Sequence, residues 1–152
     1  MPETRIAKAI ERPTLKALHV TLENKPGTLA LVTKALADNN INIEAVEAEI
    51  LGKSAFFRFF TETPAEAERV IRNLKFVTIG MEVIEVIVPN KPGELARICD
   101  VLSKAGINIE SLFGSSGTVT RQEARFYFRV DKPEQAAKIL TAAKFAVRRT
   151  LR

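Results

Sequence analysis

Hydrophobic and polar positions change their period several times along this chain, and the changes occur twice in the same order. Leu18, Val20 and Leu22 alternate with His19 and Thr21, and Ile84, Val86 and Val88 alternate in the same way. A period of two marks a strand that buries one face. Leu29, Val32 and Leu36, then Leu95, Ile98 and Leu102, follow at helical spacing and predict a helix whose stripe covers that face. Asn39-Asn40 and Gly106 close these helices with residue types that tolerate a left-handed backbone. Extended segments start at Ile41 and Ile107. Further strands carry Phe57 and Phe59, and Phe126 and Phe128, each pair pointing one way. Second helices open at Thr63-Pro64-Ala65-Glu66, which reads as a capping box with proline at the first helical position, and at Asp131-Lys132-Pro133-Glu134. Their core stripes are Ala67, Val70, Ile71 and Leu74, and Ala136, Ile139, Leu140 and Ala143. Last strands run over Phe76–Ile79 and Phe145–Leu151.

The shared order reflects an internal repeat. Asn24-Lys25-Pro26-Gly27 returns as Asn90-Lys91-Pro92-Gly93, and Ile41-Asn42-Ile43-Glu44 as Ile107-Asn108-Ile109-Glu110, both 66 residues later. Over Asn24–Val46 against Asn90–Leu112, 11 of 23 positions are identical, too many for coincidence. A longer second hairpin around Gly114-Ser115-Ser116-Gly117 raises the offset to 69, which aligns Phe57, Phe59 and Pro64 with Phe126, Phe128 and Pro133. The expected class is α+β: two tandem ferredoxin-like βαββαβ modules with antiparallel sheets and helices on one face. The expected division is a tail over 1–14, module 1 over 15–80 and module 2 over 81–152. Phe76 to Val88 leaves no linker between them, and modules near 70 residues are marginal alone. Close docking through a shared sheet or apposed helices is therefore expected, with a homodimer. In the tail, Ile6, Ala7 and Ile10 have helical spacing.

Composition narrows the classes. At 152 residues with 46% hydrophobic content, the chain can build a core and is not a disordered segment. It has no apolar run near the ~18 residues of a membrane span and no secretory pattern at its start, so a cytoplasmic protein is expected. Its single cysteine, Cys99, excludes an internal disulfide and a multi-cysteine metal site. The net charge of +5 brings nucleic acid into consideration. The basic residues are scattered, though, and the cluster Arg148, Arg149 and Arg152 reads as a solvated end.

The sharpest chemistry is the loop that feeds each first helix. A helix start presents free N–H groups and the positive end of the dipole, and Gly27 or Gly93 lets a ligand come close to the backbone. A small carboxylate suits such a place; a tight turn shaped by Pro-Gly is the plain alternative. Asn-Lys-Pro-Gly-x-Leu-Ala, a helix and Ile-Asn-Ile-Glu together resemble the ACT domain, an amino-acid-sensing module of metabolic regulation, over nearly the whole of both copies. The resemblance implies a ligand held between two modules by Asn24, Pro26, Gly27 and Asn42 in one copy and by Asn90, Pro92, Gly93 and Asn108 in the other. The asparagine spacing is similar to that of the serine-binding regulatory domain of phosphoglycerate dehydrogenase. Leu22 and Val88 stand where that domain has histidine, which argues against serine. Gly106–Leu112 also resembles the small regulatory subunit of acetolactate synthase. Gly106 beside Asn108, against Asn40 in copy one, makes copy two the more family-like site.

The expected function is thus a non-enzymatic amino-acid-binding regulator with no cofactor and no metal, acting with a free amino acid, a second copy and, in some form, a separate metabolic enzyme or regulator. The rivals are a ligand-free assembly subunit and an RNA binder. RNA-recognition motifs share the βαββαβ order and stack bases on third-strand aromatics, but the glycine and aromatic spacing around Lys53–Phe59 does not match. No group reads as catalytic. His19 has Glu85 in its place in copy two and reads as a surface or interface residue. Cys99 reads as a small buried residue, and Glu44 and Glu110 as edge charges.

Overall fold

The computed structural model describes residues 15–115 and 122–149. The helical spacing in the tail, the centre of the second hairpin and Arg152 lie outside the described residues. Module 1 runs β1 Lys16–Glu23, α1 Thr28–Asp38, β2 Ala45–Leu51, β3 Ser54–Phe60, α2 Pro64–Asn73 and β4 Val77–Glu82. Module 2 repeats this as β5 Ile84–Pro89, α3 Glu94–Lys104, β6 Ile109–Ser115, β7 Glu123–Val130, α4 Pro133–Ala142 and β8 Ala146–Arg149. Only Val83 separates β4 from β5. The two compact units are Lys16–Met81 and the part from Glu82 onward. Each holds one four-stranded sheet, ordered β2-β3-β1-β4 and β6-β7-β5-β8.

Alternation decides what each sheet buries. In module 1, Val20 lies opposite Phe57 and Leu18 opposite Phe59, and these side chains join Val32 and Leu36 of α1 with Ala67, Val70 and Ile71 of α2 in one core. Phe57 and Phe59 stack at 5.1 Å. Module 2 builds the equivalent core from Ile84, Val86, Val88, Ile98, Leu102, Phe128, Ala136 and Leu140. Burying a side chain of this size contributes about 1.5–3 kcal/mol, so these stripes stabilise each module. One expected core residue departs: Leu29 is 41% exposed, whereas its counterpart Leu95 packs against the module 2 core.

Helix ends follow backbone chemistry more closely than side-chain capping. Asn40 (φ 58°) and Gly106 (φ 65°) take the expected left-handed conformation, and Ile41 N–H and Ile107 N–H then donate back to Leu36 O and Leu102 O at 3.0 Å each. Lys75 (φ 67°) and Lys144 (φ 69°) close α2 and α4 in the same conformation, where a Cβ is strained. Exchanging Lys75 for glycine should therefore raise the unfolding free energy by about 0.5–1 kcal/mol, read from urea denaturation, whereas the same change at Lys138 inside α4 should lower it. The capping box at Thr63 does not form: Thr63 makes no side-chain cap bond to α2, and its own N–H donates to Thr61 Oγ1 at 3.3 Å. Asp131 is not the cap of α4 either, since Lys132 holds that position.

Candidate functional site

Both strand-to-helix loops have the same construction. Gly27 (φ 90°) and Gly93 (φ 92°) occupy the N-cap positions of α1 and α3 in the left-handed region, and no side chain caps either helix. A Cβ at either glycine would meet nothing within 4 Å. Positive φ is therefore what requires glycine there, and the open space leaves the backbone approachable. Helix hydrogen bonding begins with Leu31 N–H to Gly27 O (2.9 Å) and Arg97 N–H to Gly93 O (3.0 Å), so the N–H groups of the first turn have no carbonyl within the helix. The loops are anchored from behind: Asn24 N–H donates to Lys53 O at 3.2 Å and Asn90 N–H to Gln122 O at 2.8 Å. Pro26 and Pro92 are exposed.

The two helix starts differ in charge. Thr28, 7% exposed, sits at the head of α1 with its hydroxyl donating to Lys25 O at 3.2 Å, and the first turn of α1 has no acidic residue. Glu94 holds the matching position in α3, 4% exposed, paired with Arg97 at 2.6 Å and Lys91 at 3.5 Å. An anion near a helix start is stabilised by the dipole, and in module 2 the protein's own carboxylate takes that role. Beside the module 1 loop, Lys25 donates to Glu23 and, with its charge, holds the Glu23 carboxyl below its ordinary range.

The structure brings only part of each expected set together. Asn24 lines a cleft of about 240 Å³ in module 1, with Lys25, Thr28 and Leu29 on one side and Ile50 and Phe57 on the other. Asn42 does not line it; its amide donates to Glu44 Oε1 at 2.7 Å on the exposed surface. In module 2, Asn108 lines a shallower, open depression with Gly106, Ile109 and Cys99, away from Asn90. Asn108 N–H donates to Asp131 Oδ1 at 2.9 Å and Lys132 Nζ to Gly106 O at 2.9 Å. Asp131 thus pins the strand start. Cys99 is half-buried on this depression rather than enclosed. Sequence reasoning assigned Leu29 to the core stripe and Asp131 to a helix opening, and it left Ile50 and the Thr28/Glu94 pair unremarked; the last was visible as a mismatch directly after the identical Asn-Lys-Pro-Gly.

The helix-free faces differ more sharply. In module 1, His19 is half-buried and lies 5.0 Å from the Phe56 ring. In module 2, Glu85 is fully buried. It accepts from the Tyr127 hydroxyl at 2.9 Å, and its carboxylate lies 2.7 Å from Arg148 Nε and 3.6 Å from Arg125. Arg148 is 4% exposed, which corrects its reading as part of a solvated end: β8 pairs with β5 and sets Arg148 beside Glu85. Burial and the adjacent Glu85 carboxylate push the Tyr127 phenol well above its ordinary value. Phe57, Phe59 and Phe128 are at most 2% exposed, so these third-strand aromatics offer no face to a base. Among the described residues no His, Cys, Asp and Glu cluster fits a metal ion, and no helix is long and apolar enough to cross a membrane.

A duplicated βαββαβ unit with an approachable helix start after each first strand defines a class of tandem ferredoxin-like modules. The ACT domain matches residues 16–77 and again 83–146, and the chain belongs to that family. The Bacteroides thetaiotaomicron protein BT0572 is similar in structure, with TM-score 0.82 and 27% identity over 88% of this chain and 91% of that one. The regulatory subunit of aspartate kinase from Thermus thermophilus shares the fold, with TM-score 0.63 and 16% identity over 88% and 93%. No curated protein matches the sequence.

Proposed function

We propose that this chain is a non-catalytic regulator that binds a free amino acid where ACT modules meet and passes the bound state to a separate enzyme or regulator. The observation that carries the proposal is the strand-to-helix loop: Gly27 and Gly93 hold φ near +90° with open space beside them and no side-chain cap on the helix they begin. That arrangement offers a carboxylate the positive end of the dipole and first-turn N–H groups, apart from Thr28 N–H, which donates to Lys25 O at 3.4 Å. The binding groups in this reading are Asn24, Pro26, Gly27 and Asn42 with their counterparts Asn90, Pro92, Gly93 and Asn108. Neither module gathers its own set in one cleft, which favours a ligand completed by a second module, and a homodimer is one way to bring such a module to each site. The Thermus thermophilus chain of like fold and extent is a regulatory subunit of aspartate kinase, which supports a regulatory role. A signal requires only that the ligand bind one packing of the modules better than another.

Titration calorimetry of the intact chain against the common amino acids tests the proposal, with micromolar binding expected. A Gly27→Val and Gly93→Val double variant should lose at least tenfold in affinity, because the added side chains project into the open space at both helix starts. Asn24→Ala with Asn90→Ala provides a second reading should the valines disturb folding. Undiminished affinity in both double variants would place the ligand elsewhere.

A further inference from the structure

We infer that Asp131 and Lys132 are positioning residues: together they clamp the start of β6 and present the Asn108 amide to the ligand, which makes Asn108, rather than Asn42, the principal strand-start asparagine. This rests on the amino-acid-binding reading above and adds two residues that act through Asn108.

The backbone around Asn108 carries the inference. Ile107 is 5% exposed and Ile109 packs against the module 2 core, while Asn108 between them is exposed. One residue holds its backbone from both sides: Asn108 N–H donates to Asp131 Oδ1 at 2.9 Å, and Asp131 N–H donates to Asn108 O at 3.1 Å. The next residue holds the turn before it. Lys132 Nζ donates to Gly106 O at 2.9 Å, where Gly106 (φ 65°) leads the chain out of α3. These bonds fix the stretch from Gly106 to Asn108, yet among the described residues the Asn108 amide itself has no partner. An asparagine amide offers a donor to a carboxylate and an acceptor to an ammonium group. Holding its backbone in place before binding lowers the ordering cost of using it.

Module 1 is built differently at the same place. Glu62 and Thr63 stand where module 2 has Asp131 and Lys132. Thr63 N–H turns to Thr61 Oγ1 at 3.3 Å, and among the described residues no hydrogen bond holds the Asn42 backbone. The Asn42 amide is engaged with Glu44 Oε1 at 2.7 Å, so a ligand has to displace that bond. Two asparagines that are equivalent in the repeat therefore differ in what they can offer.

Titration calorimetry with the common amino acids, on the intact chain and its variants, tests the clamp. Asp131→Ala removes the acceptor for Asn108 N–H and should weaken binding about tenfold, the scale of ordering one more side chain on binding. Asp131→Asn keeps an Oδ1 acceptor without the charge and should bring affinity back to within about twofold of the original chain; an electrostatic role for the carboxylate would give no such rescue. Should Asp131→Ala disturb the circular dichroism, Lys132→Met, which frees only Gly106 O, should weaken binding about threefold. Asn108→Ala should cost more affinity than Asn42→Ala. Unchanged affinity in the folded clamp variants, equal losses in Asp131→Asn and Asp131→Ala, or a larger loss from Asn42→Ala would overturn this inference while amino-acid binding itself stands. Absence of binding by any amino acid would overturn both readings.

Discussion

Replacement of Glu85 by alanine should lower the unfolding free energy by about 3–5 kcal/mol, the cost of leaving a buried charge without its partner. Glu85 is fully buried and Arg148 is 4% exposed, at 2.7 Å from each other. Removing the carboxylate strands the guanidinium in a place that water does not reach and takes the acceptor from Tyr127. Since domains of this size are stable by only about 5–15 kcal/mol, the loss should show as a large shift of the urea midpoint. Exchanging Glu85 and Arg148 together for leucine removes both charges and should recover most of the stability, as apolar replacements of buried pairs commonly do. A loss under ~1 kcal/mol in the alanine variant, the value of an exposed ion pair, would show the pair to be solvated.

The second large effect is alkaline destabilisation through Tyr127. Its phenol is held neutral by burial and by the Glu85 carboxylate, so its value in the folded protein lies above the unfolded value, which is ~10. Above that pH the unfolded chain releases a proton that the folded chain retains, and the balance moves toward unfolding. Stability from this group is thus complete below pH ~10 and falls by about 1.4 kcal/mol per pH unit above it. The chain has one tyrosine and no tryptophan, so ultraviolet absorbance follows this phenol alone. Folded protein should show no phenolate near pH 10, and Tyr127→Phe should remove the extra slope from unfolding free energy against pH. Free titration near 10 in the folded state would contradict the buried pairing.

Those two residues also show where sequence reading stopped. Alternation set Leu18, Val20 and Leu22 on one face, and the repeat confirmed each element by its copy, so element order and both cores were legible. Pro64 and Pro133 marked helix starts, and Asn40 and Gly106 marked helix ends, because those residue types fit the required backbone. Lys75 and Lys144 carry no such signal, since lysine enters the left-handed region only when the surrounding chain imposes it. Arg148 looked solvated because nothing local links it to Glu85; strand pairing alone brings them together. The loop at Asn24–Gly27 stood out through its repetition. The floor of the cleft did not, because Ile50 follows ordinary strand alternation and Leu29 ordinary helical spacing, and only the gap between their elements makes them neighbours. The Thr28/Glu94 difference was plain in the sequence but gained meaning once both residues were seen at helix starts.

Amino-acid binding by the intact chain is the central claim, and thermal denaturation with each common amino acid at millimolar concentration tests it most directly. A ligand at about 100 times its Kd adds roughly 2.7 kcal/mol to the apparent stability, so at least one amino acid should raise the Tm by several degrees, and that rise should vanish in the Gly27→Val and Gly93→Val double variant. An unchanged Tm with every amino acid would contradict the account.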